Sequence, residues 1–166
     1  LLLNEKEIEL LELLQNDARM PLDVLAKALQ LSEADVQATI NKLEEHHVIL
    51  KYATVVDWRK VDGLEGVTAM IDVKVTPKRG VGFDEIAERI YKFSEVRSVY
   101  LMSGAYDLSV IIEGRTMSEI AQFVSDKLST LDSVLSTTTH FILKKYKHDG
   151  TIFDERNKDK RIVVSP

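Results

Sequence analysis

Cysteine is absent from the 166 residues, which removes disulfide staples, thiolate metal sites and thiol nucleophiles from consideration. Long apolar runs are missing as well: none approaches the roughly 18 residues of a membrane-spanning helix, so no membrane partner is expected. The opening LLLNEKEIELLELL is interrupted by charges and carries no basic leader, which reads against a signal peptide and for a cytoplasmic address. Positive charge is scarce. Lys and Arg number 22 against 27 Asp and Glu, for a formal net charge of −5, and a chain of that balance does not hold nucleic acid by bulk electrostatics. Any such contact has to be local. The first 60 residues are the more acidic part, with seven basic side chains (Lys6, Arg19, Lys27, Lys42, Lys51, Arg59, Lys60) against eleven acidic ones.

What is present is a globular composition, 45% hydrophobic and 30% charged, and enough length for two compact domains. In NEKEIELLELLQ, residues 4–15, Asn4 is placed to cap a helix and Glu7 completes a capping-box spacing. Ile8, Leu11 and Leu14 fall on one face, widened by Leu10 and Leu13. LDVLAKAL follows as a short second helix with Leu22, Leu25, Ala26 and Leu29 at helical spacing. Ser32 caps a third, with Asp35 three residues on. Val36, Ile40 and Leu43 lie within about 40° of one another at about 100° per residue, so they face inward. Ala34, Ala38 and Asn41 point outward, flanked by Gln37 and Lys42. VILKYATVVD reads as a strand, a small wing. Together these stretches describe a three-helix domain with a helix-turn-helix in its second half.

The texture changes at WRKVDGLEG, residues 58–66, a linker with two glycines. The periodicities beyond it alternate as strand (67–77), helix (83–96), two strands joined through Gly104 and Ala105, helix (from Thr116 and Glu119), and strand (135–147). That β-α-β-β-α-β order predicts a ferredoxin-like split sheet with both helices on one face. The expected fold is therefore α+β: a winged helix-turn-helix domain over 1–57, a linker over 58–66, a ferredoxin-like βαββαβ domain over 67–147, and an extension over 148–166. In the middle strands Val99, Leu101, Leu108, Val110 and Ile112 alternate with Tyr100, Met102, Ser109 and Ile111, so neither face of the sheet reads as polar. The face without helices is expected to be buried against a second copy of the chain; cover from the tail or the first domain is the alternative.

No Ser/His/Asp spacing, paired carboxylates or cofactor fingerprint emerges, so neither an enzyme nor a bound cofactor is expected. His46 and His47 diverge by about 100° on a helix, and His140 and His148 stand apart, so no metal site is expected either. PKRGVGFDE, residues 77–85, sets a Gly-x-Gly and two cations before a helix but lacks the length and order of a nucleotide loop.

Two stretches resemble the Lrp/AsnC, or feast/famine, family of transcriptional regulators. LLELLQNDARMPLDVLAKALQLSEADVQATINKLEEHHVI is similar to that family's helix-turn-helix. VYLMSGAYDLSVIIEG followed by LSTLDSVLSTTTHFIL is similar to the Gly-x-Tyr-Asp hairpin and Thr-x-Thr closing strand of its regulatory domain. The resemblance covers residues 4–147 and implies a regulator that binds double-stranded DNA, forms a homodimer assembling further to a tetramer or octamer, and responds to a small-molecule effector, an amino acid or related metabolite. On this chain it places DNA contacts at Ser32, Ala34, Gln37, Ala38, Asn41, Lys42 and Lys51, with Lys27 and Arg19 nearby. It places effector contacts at Ser103, Gly104, Ala105, Tyr106, Asp107, Thr137 and Thr139. An ordinary tight hairpin braced by Asp107 is the competing reading of that turn.

The departures from the family pattern matter. Thr39 stands where Arg is common, Asp35 where Thr or Ser is common, and Lys42 at another position that is often Arg. Each missing phosphate contact removes a counterion-release contribution. Gln37 and Asn41 retain the ability to pair with adenine edges, and Ala34 or Ala38 to touch a thymine methyl. The expectation is weak binding by one head, rescued by several heads in one oligomer, on A·T-leaning sites. A helix-turn-helix kept only as an interaction module in an amino-acid-sensing oligomer is the contrasting reading. Gln30 and His47 occupy positions where glycine is frequent, and both are read as structural.

Overall fold

The computed structural model describes residues 1–76 and 82–153, in two compact units that divide between Thr54 and Val55. The first contains helices α1 (Glu5–Asn16), α2 (Leu22–Leu29) and α3 (Glu33–Glu45). The capping box forms as the spacing predicts: the Glu7 N–H donates to Asn4 Oδ1 at 3.0 Å and the Asn4 N–H donates to Glu7 Oε2 at 2.9 Å. The buried stripe of α1 differs from the expected one. It runs through Glu7, Leu10 and Leu14, while Ile8 is 47% exposed. A helix this rich in leucine offers overlapping apolar stripes, and the one meeting Leu25, Leu29, Val36 and Leu43 is buried.

Pro21 precedes α2 with φ −60°, a conformation its ring imposes. Helix α2 ends on Gln30 in the left-handed region, φ 55° and ψ 44°, where its N–H reaches the Ala26 and Lys27 carbonyls. His47 ends the turn after α3 in the same way, at φ 54°, and the Val48 and Ile49 N–H groups then return to the Leu43 carbonyl. Both residues thus perform the glycine-like task assigned to them. No strand forms between Val48 and Asp57, so the expected wing is absent from the described residues. A strand needs a neighbour to pair with, and no described segment supplies one. Instead the Tyr52 hydroxyl donates to Glu44 Oε1 at 2.8 Å, tying the segment to α3. Burial, then that carboxylate, pushes the phenol up to about 12.

In the second unit a 3₁₀ turn at Trp58–Lys60 leads to β1 (Val67–Val75), α4 (Phe83–Tyr91), β2 (Val96–Leu101), β3 (Leu108–Gly114), α5 (Met117–Phe123) and β4 (Val134–Phe141). Helix α5 continues into a π-helical turn, Val124–Leu128. The four strands form one antiparallel sheet in the order β2-β3-β1-β4, which is the split arrangement the element order predicts. Helix α4 and strand β4 both stop several residues short of their expected ends. Beyond β4 two short strands, β5 (Lys147–His148) and β6 (Thr151–Ile152), close a hairpin through Asp149 and Gly150, both at positive φ. Residues 77–81 of the Gly-x-Gly stretch, and most of the expected extension, residues 154–166, lie outside the described residues.

Ala69, Ile71, Val73, Val110, Leu108 and Ile112 pack with Ile86, Ile90, Ile120, Phe123 and Leu128 into the core under the helices. The opposite face is more polar than β2 and β3 alone imply, which corrects the expectation of a second apolar face. Register puts Met70, Asp72 and Lys74 beside Ile111 and Ser109 on one flank and His140, Thr138 and Ser136 on the other. His140 Nε2 and Asp72 Oδ2 meet there at 3.0 Å. Strands β1 and β4 supply this polarity.

Candidate functional site

On α3 the outward row is preformed. Ser32 Oγ accepts from the Asp35 N–H at 3.1 Å and donates to Asp35 Oδ2 at 2.6 Å, so the first turn is fixed by its own hydroxyl and carboxylate. Ala34, Gln37, Ala38 and Asn41 are exposed. Gln37 Nε2 donates to Asn41 Oδ1 at 2.8 Å, an i,i+4 pair that sets the two amides side by side on one surface. Thr39 turns its hydroxyl back to the Asp35 carbonyl at 2.9 Å. Lys51 is exposed beyond the helix.

Lys42 is placed otherwise. Its ammonium donates to Glu7 Oε1 of α1 at 2.7 Å, and Glu7 keeps only 8% of its surface exposed. One carboxylate therefore caps α1 through Oε2 and holds α3 through Oε1. The Lys42 hydrogen bond, then the Asn4 backbone N–H, holds the Glu7 carboxyl below its ordinary range. From the sequence Glu7 is a cap; its second role shows there only as its place on the Glu7–Leu10–Leu14 stripe.

In the second unit the turn between β2 and β3 is knotted to β1. The Met102 N–H donates to the Asp107 carbonyl at 2.8 Å and the Asp107 N–H to the Val73 carbonyl at 3.0 Å. Asp107 Oδ2 accepts from the Val75 N–H at 2.9 Å, so the carboxylate braces the end of β1 while its other oxygen makes no such bond within the sheet. Gly104 sits at φ 115°, a conformation that disfavours any side chain. Lys74 Nζ reaches the Ala105 carbonyl at 3.3 Å, and the Tyr106 hydroxyl shares a 2.7 Å hydrogen bond with Thr138 Oγ1 on β4.

Ser103, Gly104, Ala105, Tyr106 and Asp107 thus form one turn. Thr137 and Thr139 do not join it. They pair with Val73 and Ile71, whose side chains are fully buried under the helices, and directly opposed residues share a face. Thr138, between them, faces Tyr106. With a side-chain period of two, the hydroxyl nearest the turn belongs to the residue that the expected pair skipped.

Comparison with known proteins matches residues 3–44 to the AsnC-type helix-turn-helix domain and residues 68–152 to the Lrp/AsnC ligand binding domain. The chain is 66% identical over 164 residues to the uncharacterized HTH-type transcriptional regulator YugG of Bacillus subtilis (strain 168), covering 99% of each chain. It is 32% identical over 146 residues to the HTH-type transcriptional regulator LrpA of Pyrococcus horikoshii, covering 88% of this chain and 100% of that one. Among solved structures, a Neisseria meningitidis transcriptional regulator in complex with L-Met superposes with a TM-score of 0.72 at 24% identity, covering 89% of this chain and 94% of that one. The feast or famine regulatory protein of M. tuberculosis complexed with L-methionine gives 0.74 at 22% identity, covering 90% and 98%. These two likenesses speak to the fold.

Proposed function

The chain belongs to the Lrp/AsnC family of transcriptional regulators, and from that premise we propose that it binds DNA through the outward face of α3 as an assembly of copies, under the control of an amino acid or related metabolite. The observation that carries the DNA reading is the exposed Ala34–Gln37–Ala38–Asn41 row, which offers two amides and two methyls to a major groove. The pairing of Lys42 with Glu7 supports the weak-grip half of the proposal, because the one cation inside α3 already has a counterion. Ser32, Lys51, Lys27 and Arg19 are left to meet phosphates. Several such heads in one oligomer gain avidity of about 10² to 10⁴ over one head. A homodimer through the open sheet face, assembling to a tetramer or octamer, supplies that multiplicity.

Effector control is assigned to the Ser103–Asp107 turn. Gly104 leaves room for close backbone approach, and one Asp107 oxygen is engaged with Val75 while the other faces no hydrogen-bond donor within the sheet. Two neighbours of the same fold were crystallised with L-methionine, which favours an amino acid as the first class to try.

Calorimetry of the full-length protein against an amino-acid panel tests this assignment, with Asp107→Asn as the informative variant. An asparagine oxygen can still accept from the Val75 N–H, so the brace survives while the charge that would meet an α-amino group is lost. The expected result is binding by the parent and at least a tenfold loss in the variant at unchanged melting temperature. Equal heats in both would remove Asp107 from the site.

A further inference from the structure

At the end of the sheet remote from the turn lies a second concavity. The 3₁₀ turn at Trp58–Lys60, the start of β1, the end of β3 and the chain after β4 border an open cleft of about 530 Å³, a volume within the usual range of small-molecule sites. Strand β3 runs from Leu108, beside the turn, to Gly114, on the lining. Those ends are about 20 Å apart at roughly 3.3 Å per residue, so a small molecule in the cavity does not reach Asp107. Gly66 and Gly114 let the backbone close in: a Cβ on Gly66 would meet the Gly114 carbonyl oxygen at 3.2 Å.

The lining joins aromatic residues to a small excess of positive charge, Arg59, Arg115, Lys144 and Lys145 against Asp57, Glu113 and Glu119. Trp58 and Phe153 contribute rings. Two of the three lining carboxylates are ion-paired, Asp57 taking both Arg59 Nε and Nη2 at 2.8 Å and Glu113 pairing with Arg97 at 3.0 Å, while Glu119 accepts from the Arg115 backbone N–H at 2.6 Å and keeps its charge. Arg115, Lys144 and Lys145 also belong to the lining, and among the described residues no carboxylate forms an ion pair with them. Lys144 Nζ lies 5.0 Å over the Tyr146 ring, and Lys145 is half-buried. A half-buried lysine that no described carboxylate pairs with gains by meeting an anion. In a chain of net charge −5 this is a local surplus of the opposite sign.

We propose that this cavity is a second ligand site, separate from the turn, for a small flat organic anion whose ring lies against Trp58 and whose carboxylate or phosphate meets Lys145 and Arg115. Ring stacking supplies affinity without strict identity, and the cations select for charge. The reading does not depend on what the turn binds.

Trp58 is the chain's one tryptophan, so emission from the full-length protein reports on this cavity directly. The probes are phenylacetate and adenosine 5′-monophosphate, with phenylacetamide and adenosine as their uncharged counterparts. A saturable emission change is expected with at least one anion, weakened at least tenfold in its neutral counterpart. Lys145→Gln and, separately, Arg115→Gln should each weaken the anion at least fivefold with circular dichroism unchanged, while Asp107→Asn leaves the response intact. A response to one anion alone supports the proposal and names the head group. No saturable change with either anion overturns it, as does equal affinity for charged and neutral probes or an unchanged affinity in both cation variants.

Discussion

Glu7 is a single carboxylate with two partners, and each oxygen makes a separate prediction. Through Oε2 it completes the α1 cap with Asn4, and Asn4→Ala should cost about 1 kcal/mol of stability, read from chemical denaturation of the full-length chain. Through Oε1 it neutralises Lys42. Glu7→Gln removes that counter-charge, so Lys42 becomes available to a phosphate and the slope of log K against log salt should steepen by about 0.9 for each head engaged. An unchanged slope would show that Lys42 has no reach to the backbone of DNA. The same carboxyl has its folded-state pKa held below the ordinary 4.5, chiefly by Lys42. A depressed carboxyl contributes stability that is complete above the unfolded value and is lost as pH falls through the folded one. Acid unfolding of the first unit should therefore begin at a higher pH in a Lys42→Met variant, followed by helical dichroism. Glu7's double role was only half legible in the sequence. The capping spacing is local, but helix α1 also carries Glu5, Glu9 and Glu12, and no periodicity says that one of these carboxylates meets a lysine 35 residues away.

At the level of elements, the helices were the readable part because their signals are short-range: Asn4, Ser32 and Thr116 each cap the helix they precede. Gln30 and His47 were legible as left-handed positions for the same reason, and both take positive φ. Replacing either by glycine should stabilise the first unit by up to about 1 kcal/mol, since an L side chain there costs about 1–2 kcal/mol and glycine's added unfolded-state freedom cancels part of the gain. A lowered melting temperature would mean that the side chain makes a contact worth more than the strain. Strand faces were less legible. Thr137, Thr138 and Thr139 are chemically equivalent in the sequence, and only pairing with Asp72 rather than Val73 or Ile71 places Thr138 on the Tyr106 side. The polar character of the open face came from β1 and β4, which a reading of β2 and β3 could not supply. The segment after α3 looked like a strand by composition alone, and composition does not provide a partner. On α3 itself, Gln37→Ala with Asn41→Ala should leave nonspecific affinity nearly unchanged and lower discrimination between cognate and scrambled sites, each lost bidentate pair amounting to about 1–3 kcal/mol.

Across the whole molecule, charge decides how DNA can be held. The chain is acidic at −5, and the cation inside α3, the proposed reading helix, is engaged with Glu7. One head is thus left with amides and methyls that can distinguish bases and with little to hold the phosphates. In the proposed oligomer, assembly supplies what one head lacks, because each later contact is made at the high effective concentration set by the first. The most direct measurement is the DNA affinity of the full-length protein against that of residues 1–57 alone, by fluorescence anisotropy at one salt concentration, with dichroism showing that the isolated helices persist. The isolated unit is expected to bind about 10² to 10⁴ times more weakly. Equal affinity in the two would contradict that expectation.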